Sequence, residues 1–336
     1  MQRRLGARIS GIGSHVPPRK LTNHDLAKLV DTSDEWIASR TGISTRHIVE
    51  GPEVTSDLAA EAGRAAIASA GISDFSTIDL LLVATGSPDM LWPSTACVTQ
   101  AKLGLSCPAL DLSAACSGFV YGLAVADAMV SSGHYRRILL IGADALSKHV
   151  NWQDRATCVL FGDGAGAAVV EAVEDGEAGI VASLLGADGT GVDMLKIPAG
   201  GNAIPFSHEV VDAKLQYISM NGKEVFKFAV RATNDAVRGV LGRAGVSIDE
   251  IRYLLLHQAN QRITTAAAES LGLPTEKVAA NIDKYGNTSA ASIPLLLDEL
   301  SREGKLEKGD LLVLVGFGAG LTWGANVVRW TEGGRS

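Results

Sequence analysis

Ala70-Gly71-Ile72-Ser73 runs into Ile78-Asp79-Leu80-Leu81-Leu82-Val83, and far down the chain Ala244-Gly245-Val246-Ser247 runs into Ile251-Arg252-Tyr253-Leu254-Leu255-Leu256. Each copy ends in an apolar run of the length and character of a buried strand. Each is then followed by a helix-like segment containing Leu-Gly-Leu, at Leu103 to Leu105 and at Leu271 to Leu273. Two further apolar strands fall in matching late positions, around Leu139 and around Val313. Self-similarity of this kind predicts a chain made of two related halves. The acidic, glycine-containing stretch from Glu171 to Gly179 is the expected junction, giving halves 1–174 and 175–336.

Around these runs, helical and strand patterns alternate. Thr55 to Ala70 is alanine-rich and opens on Thr-Ser-Asp, a capped helix. Strand 78–83, a helix over Ser94 to Leu103, the run Ala109 to Ser113, a helix after Cys116 and a strand over Ile138 to Ile141 follow. Such alternation predicts an α/β fold, a mixed or parallel sheet covered by helices.

The 336 residues suffice for two domains or one large layered unit, and 46% hydrophobic with 20% charged residues fits a soluble globular protein. No apolar run reaches membrane-span length, and Arg3 and Arg4 are followed by glycine, serine and proline rather than a secretory apolar core. The expected setting is the cytoplasm. A formal charge of −7 argues against a general nucleic-acid binder. Cys97, Cys107, Cys116 and Cys158 form no CxxC pair and have no histidines at zinc-ligand spacing, so neither a metal site nor a disulfide framework is expected.

Cys116 stands where a strand gives way to a helix. A thiol there faces the positive end of the helix dipole, which favours the thiolate that attacks acyl carbons. The alternative is a small buried core cysteine. His257 directly follows strand Tyr253 to Leu256, at the strand end where α/β sheets gather their ligands. If the halves are duplicates, it matches the strand end near Ala84. The alternative is a core histidine. Asn287 lies in a polar turn, Lys284 to Ala290, and is either a cap or a site residue. The glycine-rich run Val315 to Gly324 links two strand-like segments, and its N–H groups could face an oxyanion. A dinucleotide loop is excluded here and at Phe161 to Gly166, since a strand rather than a helix follows each.

Four motifs then occur in one order: Thr32-Ser33-Asp34-Glu35-Trp36-Ile37, Ser113-Ala114-Ala115-Cys116-Ser117-Gly118, His257-Gln258-Ala259-Asn260, and Gly286-Asn287-Thr288-Ser289-Ala290-Ala291-Ser292. On these, essentially end to end, the chain resembles the β-ketoacyl-(acyl carrier protein) synthase III family. The resemblance implies the thiolase fold, two duplicated halves in a five-layered α-β-α-β-α sandwich, and a homodimer. It implies that Cys116, His257 and Asn287 form a triad. Cys116 would take a short acyl group, expected to be acetyl, from acyl-CoA. That group would condense decarboxylatively with malonyl-(acyl carrier protein), initiating type II fatty-acid synthesis. Acyl-CoA is then a substrate, and no cofactor is implied. The N–H groups of Cys116 and Ala319 would form the oxyanion hole. Trp36, Arg40, Arg155 and Asn260 would bind coenzyme A, and Lys227 and Arg262 would meet the carrier protein. Trp92 would reach from the partner subunit and shorten the acyl pocket. Ala268-Glu269-Ser270 stands where some relatives carry a basic pair, so carrier docking is expected to differ. A condensing enzyme of quinolone or polyketide starter type would share the triad. A papain-like peptidase shares only the order Cys, His, Asn and lacks the local pattern. A non-enzymatic acyl-CoA binder would keep Cys116 inert.

Overall fold

The apolar runs 78–83 and 251–256 supply inner strands, Leu80–Ala84 and Tyr253–Leu256, of two separate sheets. The computed structural model describes residues 5–174 and 179–331. The first half supplies β1 (Leu5–His15), β2 (Leu80–Ala84), β3 (Ala109–Leu112), β4 (Arg137–Asp144) and β5 (Gly164–Glu174). The second supplies β6 (Ile180–Ala187), β7 (Tyr253–Leu256), β8 (Val278–Ala279), β9 (Leu311–Gly318) and β10 (Thr322–Arg329). The sheet orders are β1-β5-β4-β2-β3 and β6-β10-β9-β7-β8. Each strand of the second sheet therefore repeats the place of the strand five earlier. Strand senses repeat as well: the first two pairings in each order are antiparallel and the last two parallel. The duplication is a property of the fold.

The principal helices are α1 (Asp34–Thr41), α2 (Thr55–Ser69), α3 (Thr95–Leu103), α4 (Gly118–Ser131), α5 (Gly222–Ala244), α6 (Gln261–Leu271) and α7 (Ser292–Arg302). Helices α2 and α3 cover the outer face of the first sheet, and α5 and α6 that of the second. Between the sheets lie α4 and α7. This gives the five layers α-β-α-β-α of a thiolase-type sandwich. A helix clamped between two sheets must be apolar nearly all round. Phe119, Val120, Leu123, Ala126 and Val130 of α4 accordingly sit in the central core, beside Leu296, Leu297 and Leu300 of α7. The two Leu-Gly-Leu segments stop α3 and α6 alike, with Gly104 and Gly272 each at φ 70.

Two local expectations change. The N-cap of α2 is Val54, whose N–H donates to Asp57 Oδ2 at 3.0 Å, while the Thr55 hydroxyl donates to the Ser87 carbonyl at 2.6 Å instead of capping. The acidic junction also begins inside a strand: Glu171 belongs to β5 and pairs with Arg137 and Arg8. Residues 175–178 of that junction, like Arg3 and Arg4, lie outside the described residues. Among the described residues no helix is long and apolar enough to cross a membrane.

Candidate active site

Cys116 is positioned by a tight elbow. The chain leaves β3 at Leu112, turns through Ala115–Ser117 and enters α4 at Gly118. Ala115 sits at φ 47. Left-handed backbone costs a residue with a Cβ about 1 kcal/mol or more, so the surrounding packing must hold it there. The thiol lines a cavity of about 250 Å³ together with His257, Asn287, Trp36, Arg155 and Asn260. One half thus supplies the cysteine and the other supplies the histidine and asparagine.

His257 leaves β7 with its N–H donating to the Val315 carbonyl at 2.8 Å. Its Nδ1 lies 2.7 Å from Ser292 Oγ, which also accepts from Gln258 N–H at 3.4 Å. The pattern that uses every group has the Ser292 hydroxyl donating to Nδ1. The ring proton then sits on Nε2, a tautomer assigned from the network. Phe317 packs edge-on against the ring, centroids 5.2 Å apart. Burial lowers the pKa to about 3, so the imidazole is neutral at physiological pH.

Asn287 is pinned by its backbone. Its N–H donates to the Leu160 carbonyl at 2.9 Å, and its carbonyl accepts from Gly162 N–H at 3.0 Å. Its side-chain Oδ1 accepts from Ser289 N–H at 2.9 Å, which leaves the Nδ2 hydrogens to donate. Two neutral donors, His257 Nε2–H and Asn287 Nδ2–H, therefore line the same cavity as the thiol.

The thiol itself departs from the expectation of a resting thiolate. Burial pushes Cys116 from 9.0 up to about 12, and the nearby Asp144 carboxylate adds to this; the Ser289 hydroxyl, donating to Sγ at 3.3 Å, opposes it. A displacement from 9.0 to about 12 corresponds to about 4 kcal/mol against ionisation. A helix N-terminus returns at most ~2 kcal/mol. The resting group is a thiol, and it must lose its proton as it attacks.

On the far side of Cys116 lies a second cavity of about 400 Å³, walled by residues that include Leu146, Phe161, Ile197, Ile218 and Ala319. Ala319 occupies the turn between β9 and β10, next to Gly318, and borders this cavity rather than the first. At the outer end of the first cavity the Arg40 and Arg155 guanidiniums lie 4.9 and 4.8 Å from the centre of the Trp36 ring. Asn260 caps α6, its Oδ1 accepting from Arg262 N–H at 2.9 Å. Arg262 lines the cavity wall, whereas Lys227 is exposed and paired with Glu224 at 2.9 Å. Trp92 is 89% exposed and lines neither cavity. Among the described residues no group of three or more His, Cys, Asp or Glu side chains could hold a metal ion.

Four residues enter that the sequence reading did not single out. Ser292 fixes the imidazole, Phe317 packs on it, Ser289 touches the thiol, and Asp144 lies behind the elbow. Ser289 and Ser292 sit within the quoted motif around Asn287. Asp144 could have been suspected as an acid at the carboxyl end of an apolar strand.

Residues 110–189 match the family model for 3-oxoacyl-[acyl-carrier-protein (ACP)] synthase III, and residues 241–330 match the model for its C-terminal part. The β-ketoacyl-[acyl-carrier-protein] synthase III of Caldanaerobacter subterraneus subsp. tengcongensis is 53% identical over 99% of this chain and 100% of that protein. The crystal structure of 3-oxoacyl-[acyl-carrier-protein] synthase III from Aquifex aeolicus VF5 superposes with a TM-score of 0.89 at 46% identity, covering 97% of this chain and 100% of that one. The priming β-ketosynthase from the R1128 polyketide biosynthetic pathway superposes with a TM-score of 0.92 at 33% identity, covering 99% of this chain and 98% of that one.

Proposed function

This chain belongs to the 3-oxoacyl-[acyl-carrier-protein] synthase III family, and from that premise we propose that it joins an acyl group carried on Cys116 to the malonyl carbon of an acyl carrier protein thioester. The reaction is the decarboxylating condensation that initiates fatty-acid synthesis. A polyketide-priming role is not favoured, since the relative named for one is 33% identical against 53% for the synthase III of C. subterraneus. The observation that carries the site assignment is the convergence of Cys116, His257 and Asn287 on one cavity.

In this reading acyl-CoA enters along the first cavity. Its adenine meets Trp36 and Arg155, its phosphates meet arginine, and its pantetheine passes Asn260. Sγ attacks the thioester carbonyl, and the N–H groups of Cys116 and Ala319 take the oxyanion. The acyl group occupies the second cavity while coenzyme A leaves. Malonyl-(acyl carrier protein) follows by the same path, with Lys227 and Arg262 near the mouth. As carbon dioxide departs, charge moves onto the malonyl thioester oxygen. His257 Nε2–H and Asn287 Nδ2–H hydrogen-bond that enolate, each contributing about 3 kcal/mol in a dry site. A neutral imidazole suits this step, because an imidazolium would protonate the carbanion before it reached the acyl-cysteine.

A homodimer goes with this reading. Met90, Leu91 and Trp92 are exposed, and Leu110 is exposed on β3, an edge strand paired on one side only by β2. Apolar exposure at a sheet edge invites a second copy. Trp92, which lines neither of the two cavities beside Cys116 in its own protomer, would then close the partner's acyl cavity. A cytoplasmic setting also goes with this reading, since its substrates are coenzyme A and carrier-protein thioesters.

Intact-mass measurement after mixing with a panel of acyl-CoAs tests the proposal. The expected result is one acyl adduct, absent in Cys116→Ser and discharged by malonyl-(acyl carrier protein) as a 3-ketoacyl product. An adduct that survives Cys116→Ser would refute the assignment of the nucleophile.

A further inference from the structure

Behind Cys116 lies a buried carboxylate that the reaction above leaves unused. Asp144 ends β4 and is fully buried. Its Oδ1 accepts from Gly86 N–H at 2.8 Å and from the hydroxyls of Ser87 at 2.7 Å and Thr85 at 3.1 Å. Its Oδ2 accepts from Ala290 N–H at 3.1 Å. Ser289 directly precedes Ala290, whose N–H holds this carboxylate, and its hydroxyl acts in the sense that favours the charged form. The same Ser289 Oγ lies 3.3 Å from Cys116 Sγ. The single Ser289 proton, which points at Sγ in the resting site, turns to the carboxylate as the hydroxyl oxygen takes up the proton from sulfur.

We propose that Ser289 and Asp144 form the path by which the Cys116 thiol gives up its proton on acylation and recovers it on condensation. This rests on the acyl-transfer reading of the site. In the first step the S–C bond forms, the thiol proton passes to Ser289 Oγ, and the Ser289 proton passes to Asp144. The thioester's own C–S bond breaks, and the coenzyme A thiolate leaves and takes a proton from solution. In the second step the malonyl C–C bond breaks to release carbon dioxide. The carbanion forms a new C–C bond to the acyl carbon as the Cys116 S–C bond breaks. The proton held on Asp144 returns through Ser289 to sulfur. One proton is taken from solution per turnover, and it is taken in the first step.

Two backbone N–H groups on Asp144 can only donate, which favours a carboxylate in the resting enzyme. Burial acts in the opposite sense and raises its proton affinity, as an acceptor requires. His257, depressed to about 3, is the weaker acceptor in the same cavity. The other titratable groups that sense Asp144 are Asp163 and His149. Asp163 is already held by Ser147 and by Val49 N–H.

The test uses the full chain and acetyl-CoA without malonyl carrier protein, in weak buffer at about pH 6.5, where a thiol stays protonated. A pH indicator should report one proton taken up for each Cys116 acylated. The infrared difference between acyl-enzyme and free enzyme should gain a protonated-carboxyl band that Asp144→Asn removes. Ser289→Ala, which leaves the carboxylate in place, should slow acylation about 10²-fold and abolish the uptake. No uptake by the wild type would mean that sulfur passes its proton straight to coenzyme A, and the proposal fails. Uptake with no carboxyl band, or an ultraviolet thiolate signal in the resting enzyme, also overturns it. If no acyl adduct forms at all, the proposed function fails instead.

Discussion

Gly318→Ala asks whether the Cys116 N–H is where the oxyanion forms. A Cβ at position 318 would stand 2.7 Å from Cys116 N, 3.1 Å from its Cβ and 3.2 Å from its Cα. Gly318 is not among the glycines with positive φ, so alanine meets no backbone penalty and the effect is steric. The methyl either fills the space in front of that N–H or pushes the elbow back. Overpacking of this kind costs about 1–3 kcal/mol of stability. Losing one oxyanion donor costs about 10²–10³ in rate, or ~3–4 kcal/mol. Single-turnover acylation followed by intact mass should therefore slow by that factor, with a lowered but cooperative thermal transition. Gly242→Ala, with nothing within 4 Å of its new Cβ, serves as the control and should acylate at the wild-type rate, with a thermal transition no lower than wild type because it lies inside α5. A folded Gly318→Ala enzyme that acylates at the wild-type rate would remove Cys116 N–H from the oxyanion hole.

His257→Ala and Asn287→Ala should each slow malonyl decarboxylation about 10²-fold or more while acyl transfer to Cys116 stays within a few fold; equal loss of both half-reactions would contradict the split. Trp92→Thr should move the acyl-CoA preference toward longer chains, read by competition between acyl-CoA lengths, and an unchanged preference would count against its place in the pocket. Trp36→Ala should raise the KM for acyl-CoA with little change in single-turnover rate at saturation. Stability should depend on pH through His257: its folded pKa of about 3 against 6.5 means the unfolded chain binds the extra proton, so stability falls as pH drops below 6.5. The loss is ~1.4 kcal/mol per pH unit. Asp163, raised from 3.8 to about 6, acts with the opposite sign in the window between those values. Urea melts of His257→Gln across this range should show one proton less of acid destabilisation, and slopes identical to wild type would refute the assignment.

The strands were legible because a buried strand writes itself as an unbroken apolar run: Leu80 to Ala84, Arg137 to Asp144 and Leu311 to Gly318 are buried almost throughout. The duplication followed from the same runs, and it located His257 correctly relative to Ala84. Pairing of Leu81 with Leu139 and of Leu254 with Val313 aligns the two copies, and Ala84 then falls on His257. What local sequence could not supply was the environment of the thiol. The junction before α4 displays a helix N-terminus, but it does not display the depth at which Cys116 is buried, and depth decides the ionisation. The partners of Cys116 are equally hidden. Ser289 lies 173 positions away, and Ala290 lies 146 positions from Asp144. Residues 195–197 together with Ile218 and Met220 wall the cavities without any periodicity that would mark them.

The duplication also explains why one elbow is a site and the other is not. Ala115 at φ 47 and Ser289 at φ 51 open equivalent turns, ahead of α4 and α7 respectively. Cys116 is therefore the counterpart of Ala290. Aligning Arg137–Asp144 on Leu311–Gly318 makes Asp144 the counterpart of Gly318. In the second copy Ala290 N–H donates to the Asp144 carboxylate at 3.1 Å. In the first copy Cys116 N–H faces a residue with no side chain at all. The arrangement that holds a carboxylate oxygen in one half is left open in the other, where an anionic substrate oxygen of similar size and charge would fit. A carboxylate bound to this N–H in the twin turn supports the oxyanion role of Cys116 N–H on grounds independent of the catalytic chemistry. It also makes glycine at 318 a requirement of that role: any side chain there would refill the space that its counterpart Asp144 fills.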